Sequence, residues 1–114
     1  MAPLARGWSL DMNNATHILE QLGGQDFLNA VGAGCLACYD VGISFTLPAW
    51  VSRWGINHVK IAANDIGLYD IAFANIDAGV YRIVRSEADI EGWRLLPKFC
   101  HVTGLVPDPL EQLP

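Results

Sequence analysis

The sequence predicts an α+β domain: a four-stranded antiparallel β-meander, with two short N-terminal helices and one C-terminal helix packed on it. Three observations carry this expectation. Apolar residues follow helical spacing over 15–22, switch to a period of two between residues 43 and 85, and return to helical spacing near the end. The links between the period-two segments are too short for the crossover that a parallel pair needs. Glycine, proline and Asn-Asp clusters fall between the periodic segments, where turns are required.

Each element has its own argument. Asn13 or Asn14 can cap the first helix, and Ala15, Ile18, Leu19 and Leu22 form its apolar stripe. Gly23-Gly24 stops it, because glycine enters the left-handed region without steric cost. A second helix is expected at 25–31, with Phe27, Ala30 and Val31 on one face and Gly32 and Gly34 closing it. Ile43, Phe45 and Leu47 alternate with polar residues in a strand that Pro48 ends. Val59, Ile61 and Ala63 define the next strand. Asn64-Asp65-Ile66-Gly67 turns it into a third, in which Tyr69, Ile71 and Phe73 share a face. Asp77-Ala78-Gly79 turns the chain again into a fourth strand over 80–85, with Tyr81 and Ile83 expected inward. Ser86-Glu87-Ala88-Asp89 reads as a capping-box-like turn. The last helix is expected near 94–102, with Leu96, Phe99, Cys100 and Thr103 inward and Gly104 as its stop.

The chain has 114 residues, which suits one domain, and 52% of them are hydrophobic. At that size a chain buries roughly two thirds of its unfolded surface, so a core forms without staples. The domain is expected over 12–105, between a disordered leader at 1–11 and an extended Pro-rich tail at 106–114. Seven basic residues face twelve acidic ones, for a net charge of −5. That balance lacks the basic excess by which a domain usually holds a phosphate backbone, and suits a partner with a basic surface. No run approaches the ~20 apolar residues of a membrane span, and residues 1–11 lack the core of a signal peptide. The expected location is the cytoplasm of a bacterial host cell. Three cysteines, an odd number, argue against a disulfide framework.

Several segments together carry a resemblance. Gln21-Leu22-Gly23-Gly24-x-x-Phe27, Ile43-x-Phe45-x-Leu47-Pro48, Gly55-Ile56-Asn57-His58-Val59-Lys60-Ile61, Tyr69-x-Ile71-x-Phe73 and Thr103-Gly104-Leu105 resemble a group of small proteins of bacteriophages, prophages and plasmids. The resemblance runs from about Met12 to Leu105. It implies a helix–sheet–helix domain and a mobile-element setting, and no particular chemistry. The stretch Gly32–Asp40 and the Trp50–Trp54 loop depart from the group's pattern.

Candidate chemistry is sparse. Cys35-Leu36-Ala37-Cys38 has the spacing of half a zinc site, yet a structural site needs a second spaced pair. Adjacent Cys100 and His101 would project about 100° apart on a helix and cannot easily share one metal. Buried packing explains these thiols better, so no metal and no cofactor is expected. His17, His58 and His101 are isolated, and the glycines match no phosphate or dinucleotide loop. No catalytic set emerges, and the chain is read as a binding protein rather than an enzyme. Trp50-Val-Ser-Arg53-Trp54 stands out, because tryptophan and arginine anchor interfaces most often.

The leading expectation is a mobile-element accessory protein that sterically inhibits a host defence complex, in the manner of an anti-CRISPR protein. In that reading Trp50, Arg53 and Trp54, with Asp65, Asp70 and Asp77, cover a basic nucleic-acid channel. The alternative is a nucleic-acid-binding accessory protein, with Arg53, His58, Lys60, Arg82 and Arg85 on phosphates and a tryptophan stacked on bases. An edge strand can also pair with a second copy, giving a homodimer.

Overall fold

The computed structural model describes residues 14–48 and 52–105. The leader at 1–11, Trp50 and the tail at 106–114 therefore lie outside the described residues. Helix α1 covers 14–22, α2 spans Gly24–Val31 and α3 spans Leu95–Thr103. Five strands lie between α2 and α3: β1 (Gly34–Cys38), β2 (Gly42–Thr46), β3 (His58–Ala63), β4 (Tyr69–Asp77) and β5 (Val80–Ile90). They form one antiparallel sheet in the order β1-β2-β3-β4-β5. The α+β meander is thus as expected, with one more strand.

The extra strand is β1. Its sequence, Gly-Cys-Leu-Ala-Cys, has no period of two, and it carries a bulge with Cys35 at φ 49°. What makes it a strand is its partner. Tyr39 N–H donates to the Gly42 carbonyl at 2.7 Å, closing a tight hairpin that lays the segment along β2. Cys35 and Cys38 are exposed on this edge, so packing does not account for them.

One face of the sheet carries the core. Ile43, Phe45, Val59, Ile61, Ile71 and Phe73 are fully or almost fully buried there against Ile18 and Leu22 of α1, Phe27 and Val31 of α2, and Phe99 and Val102 of α3. Phe99 is the hub, with ring centroids 5.0 Å from Phe27, 6.2 Å from Phe45 and 6.5 Å from Phe73. Gly32 and Gly104 close α2 and α3 in the left-handed conformation, as their positions predict.

Smaller expectations are corrected. In α2, Leu28 is buried and Ala30 is exposed. In α3, Leu95, Phe99, Val102 and Thr103 face inward, and Leu96 and Cys100 are only partly buried. Asn14 does not cap α1. It is already helical, and its amide donates to the Asp40 carbonyl at 3.1 Å. The largest correction concerns β5. It runs through Ser86-Asp89 without a turn, and Tyr81 and Ile83 are exposed rather than inward. The reason is register: Tyr81 pairs with Ile76 and Ile83 with Ala74, which puts both on the face of the sheet opposite the helices, where no described helix covers them.

Both register irregularities between β4 and β5 put the extra residue on β5. Phe73 pairs with Arg85 but Ala74 with Ile83, so Val84 is the first bulge. Ala88 and Asp89 form the second, opposite Asp70. Paired residues in an antiparallel ladder share a face, so the bulges decide which side each β5 residue occupies.

Candidate functional site

Between β2 and β3, residues 52–57 are held by hydrogen bonds. The Ser52 hydroxyl donates to the Ile56 carbonyl, and Ile56 itself is fully buried. Asn57 pairs with Ile76 in both directions: its amide donates to the Ile76 carbonyl at 3.0 Å and its oxygen accepts from the Ile76 N–H at 2.8 Å. The Asn75 amide donates to the Gly55 carbonyl at 2.6 Å. Arg53 reaches across to α3, where Nη1 donates to the His101 carbonyl at 3.3 Å.

Within this segment Trp54 has φ 59° and ψ 23°, and 65% of its surface is exposed. A left-handed conformation costs a residue with a Cβ roughly 1–2 kcal/mol. Exposing an indole forgoes burial besides. The turn thus holds a large aromatic ring in solvent, against two local preferences, at the residue following Arg53.

A second exposed tryptophan, which sequence reasoning passed over, marks the other end of α3. Trp93 is 69% exposed in the turn Gly92–Arg94, and the Arg94 guanidinium lies 5.9 Å from its ring. Arg94 and His101 follow helical spacing along the outer side of α3, with Lys98 flanking them. The Trp93-Arg94 dipeptide repeats the residue types of Arg53-Trp54, and that was the available signal.

The acidic residues are not brought together. Asp65 lies in the β3–β4 turn and Asp70 at the start of β4, whereas Asp77 ends β4 at the opposite edge of the domain. Seven residues along a regular strand put Asp70 and Asp77 about 23 Å apart and on opposite faces. What gathers at the Asp70 end is Asn64, whose amide donates to Asp70 at 3.1 Å and to Asp89 at 2.8 Å, while its oxygen caps the turn through the N–H groups of Ile66 and Leu68.

The basic residues of the alternative reading are split as well. Lys60 pairs with Ala72 and His58 with Ala74 on the open face of the sheet. Arg82 pairs with Asn75 and Arg85 with Phe73, on the helix-bearing side. The register from the β4–β5 turn puts Arg82 there, and the Val84 bulge brings Arg85 to the same side. There Arg85 Nε lies 2.8 Å from Glu87, and Lys98 of α3 lies 3.7 Å from the same carboxylate. The hydrogen bond from Arg85 holds the Glu87 carboxyl below its usual range, with the Lys98 charge adding to it against some desolvation. On the open face, burial lowers the His58 pKa first and the nearby Lys60 charge lowers it further. The His58 ring meets Tyr81 edge-on at 5.5 Å, and its Nδ1 has no partner among the described residues.

No group of three His, Cys, Asp or Glu side chains able to hold a metal ion occurs among the described residues, and none of their helices is long and apolar enough to cross a membrane. No family model, curated protein or solved structure matches the chain.

Proposed function

We propose that this chain is a binding protein that acts by covering a surface of another protein, with the Arg53–Trp54 turn as its anchor. The observation that supports this is Trp54 itself: a solvent-exposed indole, held in a strained conformation between neighbours, Ser52, Gly55 and Ile56, that are hydrogen-bonded in place. Aromatic and arginine side chains presented on a rigid support are the residues from which interface hot spots are built. Strain retained where it costs stability points to use rather than to folding.

The partner class we assign is a host protein or ribonucleoprotein with a basic surface, in keeping with a net charge of −5. The narrower form is steric inhibition of a defence complex by a mobile-element protein. Because Trp54 and Asp70 lie at opposite ends of the sheet, that form requires one partner broad enough to span both. The nucleic-acid reading requires phosphates on two faces at once, and it ranks second.

The test is capture from nuclease-treated bacterial lysate with immobilised full-length protein, comparing wild type with Trp54→Ala and Trp54→Gly. The expected result is a stoichiometric protein partner retained by wild type and lost with both variants. Trp54→Gly relieves the left-handed strain but loosens the unfolded chain, so its stability should stay within about 1 kcal/mol of wild type. Capture that is unchanged by both variants would overturn the role of Trp54. Capture only of nucleic acid, in lysate spared the nuclease, would overturn the protein-binding reading.

A further inference from the structure

The sheet has a second face, and no described helix covers it. At one end of that face stand exposed apolar side chains. Tyr81 pairs with Ile76 and Ile83 with Ala74, and Ile76, Tyr81 and Ile83 are 38%, 46% and 56% exposed. Toward the other end lies a shallow hollow of about 320 Å³. Its floor is built of Ala62, Ala72, Ser86 and Ala88, with Lys60 and Asp70 at its rim. Large side chains protrude where the hollow is absent, and small ones line the place where large ones would fit.

We propose that this open face is a self-association surface, on which two copies of the chain pack face to face about a two-fold axis. The axis runs across the strands, between the Lys60–Ala72–Ser86 row and the His58–Ala74–Ile83 row. It seats Ile83 of each copy over Ser86 of the other, and Tyr81 of each over Ala88 and Asp70 of the other. An isologous contact of this kind makes both insertions at once, because protrusion and hollow belong to the same surface. Sheets packed this way lie about 10 Å apart, and alanine and serine floors permit that approach.

The polar groups are complementary too. Asp70 accepts from the Asn64 amide and from the Asp89 N–H, both at 3.1 Å and both through Oδ1. Its Oδ2 is left to accept from the Tyr81 hydroxyl of the second copy, which has no hydrogen-bond partner among the described residues. Lys60 and Asp70 carry opposite charges at the rim. The edges of the sheet, by contrast, are guarded. β5 carries two bulges with Arg82, Arg85, Glu87 and Asp89, and β1 is five residues long with a bulge of its own. Such features oppose strand-to-strand pairing. Self-association is therefore assigned to the face and not to an edge.

The experiment is sedimentation velocity on the full chain across the micromolar to sub-millimolar range, for wild type, Ile83→Lys, Ser86→Glu and their equimolar mixture. Both positions are exposed, so both variants should fold, with the circular-dichroism spectrum of wild type. Wild type is expected to reach twice the 12.4 kDa monomer mass. Each variant alone should stay monomeric. The mixture should recover dimer, since one insertion then becomes a Lys–Glu pair and the other is native. Trp54→Ala should dimerise like wild type, which separates this surface from the partner-binding turn. A wild type that is monomeric throughout would overturn the proposal. So would a dimer that both single variants retain, or a mixture that stays monomeric.

Discussion

Gly42 is the position at which the sheet tolerates no side chain. It pairs with Ala62 near the start of β2, and a Cβ built there would lie 2.7 Å from the Ala62 Cα and 2.8 Å from the Ile61 carbonyl carbon. Both are backbone atoms and cannot rotate away, so Gly42→Ala must part β2 from β3. The bonds at risk are Ala63 N–H to the Val41 carbonyl at 2.8 Å, which crosses to β3, and, as the Gly42 backbone is displaced, Tyr39 N–H to the Gly42 carbonyl at 2.7 Å in the β1–β2 hairpin. Two backbone bonds at about 1 kcal/mol each, with about 1–3 kcal/mol of overpacking strain, give a loss of about 3–5 kcal/mol. That is a large share of the 5–15 kcal/mol typical of a whole domain. The control is Gly79→Ala in the β4–β5 turn, where φ is 79° and no atom lies within 4 Å of the new Cβ. Conformational strain alone costs about 1–2 kcal/mol there. Urea unfolding followed by tryptophan fluorescence reads both. With a slope of about 2 kcal/mol/M, Gly42→Ala should lower the midpoint by about 2 M and Gly79→Ala by about 0.5–1 M. If Gly42→Ala loses no more than Gly79→Ala, close backbone approach is not what holds β2 against β3.

Two further outcomes follow from the packing and the charges. Phe99→Ala should cost about 3–5 kcal/mol, whereas Phe99→Leu, which keeps the burial and loses the three ring contacts, should cost about 1–2 kcal/mol; thermal midpoints separate them at about 4–8 °C per kcal/mol. Glu87 has a folded pKa below its unfolded one, so its contribution is complete above the ordinary carboxylate range and is lost as pH falls through the depressed value. Urea midpoints measured down that acid range should fall less steeply for Glu87→Gln than for wild type, and equal slopes would remove Glu87 from the account.

Much of the fold was legible in the sequence because local chemistry and tertiary packing agreed. Gly23-Gly24, Gly32 and Gly104 end helices for steric reasons that need no partner. Ile43 and Phe45, Val59 and Ile61, and Ile71 and Phe73 alternate because a sheet with one covered face demands it. What failed lacked such a local cause. β1 has no period and exists through its hairpin with β2. The facing of Tyr81 and Ile83 was misjudged because alternation tells which residues share a side, and not whether a layer lies over it.

The candidate site divides along the same line. Composition and loop position alone singled out Trp50, Arg53 and Trp54, residue types that recur as interface anchors; of these, Arg53 and Trp54 are exposed, and Trp50 lies outside the described residues. The grouping of the charges was decided by tertiary structure. A strand separates Asp70 from Asp77 by its length, and one extra residue at Val84 moves Arg85 to the side opposite Lys60. A bulge leaves almost no trace in composition, yet it reverses the facing of every residue beyond it. The sequence determined which residues alternate and where the turns fall; only the folded sheet decided which side of it each charge occupies.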